Sequence, residues 1–149
     1  MDIIDRLEST RTRTLACFDL GAADLQRRYA PGKWTVAYVL HHLADADSVM
    51  YDRIRRTISE PRQVIWAFDQ QAWSEGLDYA TVPLSVSRAI YTAVRDGVIH
   101  QARMHYERDG AREYVHSEVG VRTLKQEIDK VAWHNEHHLA QIETALRGA

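Results

Sequence analysis

The sequence predicts an all-α protein, a four-helix bundle with one long crossover connection. Four long segments carry apolar residues at helical spacing, and the three prolines and seven glycines fall mostly between them. No strand-length run of clean alternation competes with that reading. A chain of 149 residues fits a single domain over 1–149 and can bury a substantial core.

Helix one is expected from about Asp2 to Leu20, with Ile3, Leu7, Thr14, Leu15 and Phe18 roughly in phase and a stop at Gly21. A connector ending in Pro31-Gly32-Lys33-Trp34 leads to helix two, about Thr35 to Ile58. Thr35 is its N-cap and Pro61 lies just past its end. The apolar stripe runs through Val36, Val39, Leu40, Leu43, Met50 and Ile54. Residues 59–82 form an aromatic-rich connection holding Trp66, Phe68, Trp73 and Tyr79; a link of this length is unusual in a bundle and points to function. It also permits a non-sequential arrangement of helices. Helix three is expected from about Leu84 to Arg108, stopped by Asp109-Gly110, and helix four from about Thr123 to Leu146. Thr123 and Gln126 fit a capping box. Glu113-Tyr114-Val115-His116 alternates weakly and is too short to build a sheet.

Composition excludes several functions. Hydrophobic residues at 45% and charged residues at 27% are those of a soluble globular protein. With a formal charge of −2 and no clustered basic patch, nucleic acid is not expected as a partner. Arg53, Arg55 and Arg56 are the densest basic group and read as a solvated helix face. No apolar stretch is long enough to span a bilayer, so no membrane partner is expected, and the N-terminus lacks the order of a signal peptide. Cys17 is the only cysteine; it cannot form an intramolecular disulfide and reads as a small buried hydrophobe, and the expected location is cytoplasmic.

The chemistry lies in the histidines. His134, His137 and His138 crowd the last helix, and His134 and His138 at i and i+4 share one face, a spacing that suits two ligands of one divalent cation. At about 100 degrees per residue, His134 and His138 edge the apolar stripe of Leu124, Ile128, Val131, Leu139, Ile142 and Leu146, with Gln141 on the same line; His137 points outward. In helix two, His42 falls at the stripe margin, whereas His41 points toward the polar face. Phase thus nominates His42, His134 and His138, three imidazoles that suit Zn²⁺, Ni²⁺ or Fe²⁺ and leave a coordination position open. The same spacing also occurs in exposed or hydrogen-bonded core histidines. His100 and His105 read as surface residues, and His116 either reaches the site or caps a turn. Asp47 falls inside the stripe of helix two, so an arginine or a histidine N–H must meet it there, with a site-tuning role open. Asp45 reads as solvated.

At these residues the chain resembles the DinB-like superfamily, in the branch related to YfiT and the bacillithiol transferases. The matching pieces are Pro31-Gly32-Lys33-Trp34-Thr35 followed by His41-His42-Leu43-Ala44-Asp45, Tyr51-Asp52-Arg53, Phe68-Asp69-Gln70-Gln71-Ala72-Trp73, His116-Ser117-Glu118-Val119-Gly120 with Thr123-Leu124, and His134 and His138 with Gln141-Ile142. Their joint order is more specific than any one fragment. The family loop often has proline after its histidine, where this chain has Ser117. The resemblance implies one divalent ion, commonly zinc or nickel, on His42, His134 and His138. It also implies a homodimer acting on a small molecule, since relatives include thiol S-transferases and a thiol-dependent isomerase. The leading expectation is metal-dependent transfer of a low-molecular-weight thiol to an electrophile, with Trp34, Trp66, Trp73 and Trp133 as candidate pocket walls. The alternatives are a hydrolase using metal-bound water, with Glu118 or Asp47 as proton acceptor, and a non-catalytic metal-binding or stress-response protein.

Overall fold

The computed structural model describes residues 1–148 and places the four expected long helices as a bundle. Helix α1 (Ile3–Cys17) starts where the Asp2 carboxylate accepts the Asp5 N–H at 2.9 Å. It ends short of Leu20, and a separate turn of helix, α2 (Ala22–Leu25), occupies the connector. Helix α3 (Val36–Ser59) is capped by Thr35, whose hydroxyl accepts the Tyr38 N–H at 3.2 Å. Helix α4 (Gln70–Gly76) lies inside the long connection, capped by Asp69, which accepts the Gln71 and Ala72 N–H groups at 2.9 and 3.0 Å. Helix α5 spans Leu84–His105, ending before the expected Arg108. Helix α6 (Leu124–Arg147) opens on the expected capping box: the Thr123 hydroxyl accepts the Gln126 N–H, and Gln126 returns the contact to the Thr123 N–H at 3.0 Å.

Both α1 and α3 pack against α5 and α6, so the order around the bundle is α1, α5, α3, α6. The first two long helices therefore sit on a diagonal, which the link over residues 60–83 makes possible. The arrangement brings α3 directly against α6, the pair carrying the three nominated histidines.

Three short strands overturn the expectation of no sheet. Strand β1 (Val64–Ile65) runs parallel to β2 (Glu113–His116), which turns back antiparallel into β3 (Gly120–Thr123). Glu113–His116 is short, but it is paired on both sides, and one partner comes from the distant connection after α3. Gly120, at φ +78°, supplies the left-handed backbone that closes the hairpin. Ile65, Tyr114 and His116 face inward and are buried.

The core is two apolar layers separated by a polar one. One layer gathers Leu7, Met50, Ile54, Val98, Ile128 and Val131; the other gathers Phe18, Val36, Leu40, Tyr91 and Ile142. Between them lie Asp47, Arg95 and Asn135, all fully buried. The Asp47 carboxylate accepts from Arg95 Nε at 2.9 Å and from Asn135 Nδ2 at 2.9 Å, and Asn135 Oδ1 accepts the Tyr91 O–H at 2.9 Å. Asp47 thus has the arginine partner its position demanded.

Arg53 corrects the reading of a solvated basic face. It is buried and pairs with the buried Glu127 at 3.4 Å, while Glu127 also accepts the Tyr114 O–H. The sheet covers a side of α3 that helical phase alone reads as outward.

Candidate metal centre

His42 projects from α3 and His134 and His138 from α6, and their ring nitrogens converge. The Nε2 atoms of His42 and His134 lie 3.2 Å apart, those of His138 and His134 lie 3.1 Å apart, and one nitrogen from each ring falls within 4.8 Å of the others. The i, i+4 spacing on α6 stacks two rings one turn apart, and α3 delivers the third from across the interface.

These residues fit a divalent cation. Burial pushes His42 down to about 3, His134 to about 2 and His138 to about 4, with repulsion from neighbouring imidazoles adding to the burial effect. All three rings are therefore neutral at pH 7, the form that donates a lone pair to a metal. His138 Nδ1 lies 2.8 Å from Gln141 Oε1, so the ring donates its N–H there and turns a bare Nε2 toward the other two histidines. Bare nitrogens facing one another at such distances repel unless a proton or a cation lies between them. The buried Nδ1 atoms of His42 and His134 have no hydrogen-bond partner among the described residues, so Gln141 supplies the one hydrogen bond that holds a ring of the cluster from outside it.

Aromatic rings wall the cluster. Trp34 packs 5.2 Å from the His42 ring, Phe68 stacks on that ring at 6.3 Å, and Trp73 backs Phe68 at 4.9 Å. His134 and His138 form part of the floor of a cleft of about 460 Å³, also bordered by Lys33, Trp34, Gln71 and Trp133. His137 is exposed, as expected, yet it lines the mouth, stacked on Trp133 at 5.5 Å and 3.1 Å from Gln141 Nε2.

Other nominated residues lie elsewhere. Asp47 is occupied by Arg95 and Asn135 and makes no hydrogen bond to the imidazoles, so it is not placed as a proton acceptor. Glu118 is exposed, its backbone N–H bonding to His116 Nδ1 at 3.2 Å, and its carboxylate is not part of the cleft wall. His116 is buried beside a neighbouring cleft. Trp66 is 77% exposed and lines a separate groove. His41, expected near solvent, is buried, 2.7 Å from Ser87 Oγ and packed on Tyr79. Asp45, read as solvated, accepts the Tyr79 O–H at 2.5 Å. Both corrections have one cause: the crossover folds Tyr79 over that side of α3. Sequence reasoning missed Gln70 and Gln71 at the cleft, whose one local signal is the helix-capping Asp69 just before them.

The pKa shifts give a signed prediction for metal-free protein. Each folded-state value lies below the unfolded imidazole value near 6.5, so below pH 6.5 the unfolded chain binds more protons. Stability is untouched by these groups above that pH and falls on acidification toward the folded values. The slope reaches about 1.4 kcal/mol per imidazole per pH unit. Urea titrations of metal-free protein from pH 7 to pH 5 check this, and a curve flat over that range refutes it.

A family model described as the DinB superfamily matches residues 6–142. The chain belongs to that superfamily. Within it, the chain is 35% identical over 87% of its length, and 74% of the relative's, to a protein of Oceanobacillus iheyensis named a putative metal-dependent hydrolase. It is 31% identical to the putative metal-dependent hydrolase YfiT of Bacillus subtilis, over 84% of this chain and 71% of the relative. The solved structure of YfiT superposes with a TM-score of 0.86 at 28% identity, covering 97% of this chain and 85% of that one. That structure is described as a probable metal-dependent hydrolase with an unusual four-helix bundle topology. No helix among the described residues is long and apolar enough to cross a membrane.

Proposed function

We propose that the protein is a divalent-metal-dependent enzyme in which His42, His134 and His138 hold one ion, Zn²⁺ or Ni²⁺, and that it joins a low-molecular-weight thiol to an electrophilic small molecule. When bound, such an ion supplies Lewis acidity and an open coordination position that raises the acidity of a thiol or of water. Gln141 holds the His138 N–H and fixes the ring's tautomer. Trp34 and Phe68 exclude water from the faces of His42. Lys33, Gln70 and Gln71 set hydrogen-bond donors at the cleft margin, where an electrophile's leaving group or carbonyl would lie.

The carrying observation is that three neutral imidazoles converge and that two of them, His134 and His138, line a cleft with no carboxylate in its wall. A thiol, with an ordinary pKa near 8.5, needs far less help to ionise than water at 15.7. A site without a carboxylate base therefore suits sulfur better. In the net reaction the thiol proton leaves to solvent, sulfur's electron pair forms the new S–C bond, and the leaving group departs with its bonding pair.

Hydrolysis is the second reading, supported by the names that the relatives carry. Metal-loaded protein incubated with monochlorobimane, with and without added cysteine, and separately with 4-nitrophenyl acetate separates the two. The proposal expects conjugation above the buffer rate only with thiol present. Ester cleavage without thiol, alongside conjugation no faster than in buffer, would make hydrolysis the better account.

A further inference from the structure

The face of α6 that carries the histidines continues toward its N-terminus into a second cleft. Lys130 lies one helical turn from His134, and its charge helps lower both His134 and His116. Lys130, Arg122, His116, Val119 and Trp133 line this cleft of about 420 Å³, and Trp133 is a common wall of both clefts.

Its two cations are unpaired. Neither Lys130 nor Arg122 forms an ion pair among the described residues. The cleft's own carboxylate, Asp129, accepts the Tyr106 O–H at 2.7 Å. His116 Nδ1 accepts the Glu118 N–H at 3.2 Å, so the neutral ring carries its proton on Nε2 as a further donor. The walls are apolar and open: Trp133 is 55% exposed and Val119 63%. Two unpaired cations and an imidazole N–H beside exposed apolar surface match a molecule with a terminal oxyanion on an apolar body.

We propose that this second cleft binds a small molecule of that class, its carboxylate or phosphate monoester on Lys130 and Arg122 and its apolar body against Trp133 and Val119. Because Lys130 and Trp133 also border His134, the far end of the molecule would point toward the three imidazoles. That orientation rests on the proposed function; the binding itself does not.

Isothermal titration of the purified protein with 4-phenylbutyrate, phenyl phosphate and uncharged 4-phenylbutanamide tests it. At least one oxyanion should bind, with the amide about tenfold weaker or worse, because a neutral headgroup loses the charge assistance of both Lys130 and Arg122; whichever oxyanion binds more tightly identifies the headgroup. Lys130→Gln and Arg122→Gln should each weaken binding about fivefold or more with an unchanged circular dichroism spectrum. His42→Ala, which removes a metal ligand, should leave binding intact. The proposal is overturned by equal affinity for the amide, by no binding of either oxyanion, or by indifference to both Lys130→Gln and Arg122→Gln. Loss of binding in His42→Ala would place the oxyanion on the metal and overturn it as well, while leaving the metal reading standing.

Discussion

Arg95→Met should lower the unfolding free energy by about 3–5 kcal/mol, the cost of stranding a buried charge. Arg95 and Asp47 are both fully buried, and Arg95 Nη2 lies 2.7 Å from Asp47 Oδ2. Burial already raises the Asp47 pKa, and the Arg95 charge is what opposes that rise. Without the guanidinium, the carboxylate keeps only the Asn135 amide and must either take up a proton or remain poorly solvated in the core. Methionine fills most of the volume, so the loss reports the charge rather than a cavity. Urea denaturation at pH 7 measures it, and a loss under about 1 kcal/mol would show that the layer contributes little. Arg95→Met combined with Asp47→Leu should cost less than the sum of the single changes, because the pair is removed together.

His138→Ala should weaken binding of a divalent ion by more than a hundredfold. It removes one of three nitrogen donors, and two imidazoles one from each helix leave the rest of the shell to water. Gln141→Ala tests the orientation of that ring separately: the donor remains but its tautomer is free, and a loss of about 10–100-fold is expected. Competition with a chromogenic chelator gives both numbers. Equal effects from the two substitutions would mean that His138 acts only through its contact with Gln141.

The four long helices were legible because each carries its own evidence within a few turns. The stripe of α3 from Val36 to Ile54 is buried as expected, and Thr35 and the Thr123–Gln126 box cap the helices they precede. Phase also put His42, His134 and His138 at the inner edges of their helices, and their ring nitrogens do converge, while His137 is exposed as expected. What stayed hidden depends on contacts distant in sequence. Val64 finds Val115 across the fold, so a two-residue strand has no local signature. His41 and Arg53 sit on faces that the helical wheel calls outward, and they are buried because Tyr79 from the crossover and the small sheet arrive there from elsewhere. The diagonal placement of α1 and α3 likewise follows from packing, because either ring order satisfies the same stripes.

A metal centre shared between α3 and α6 should be visible in the metal content of natively purified protein. Elemental analysis of the wild type beside His42→Ala, with circular dichroism confirming both folds, should find close to one divalent ion per chain in the first and almost none in the second. Absence of metal from the wild type, or full occupancy retained in a folded His42→Ala, would contradict it.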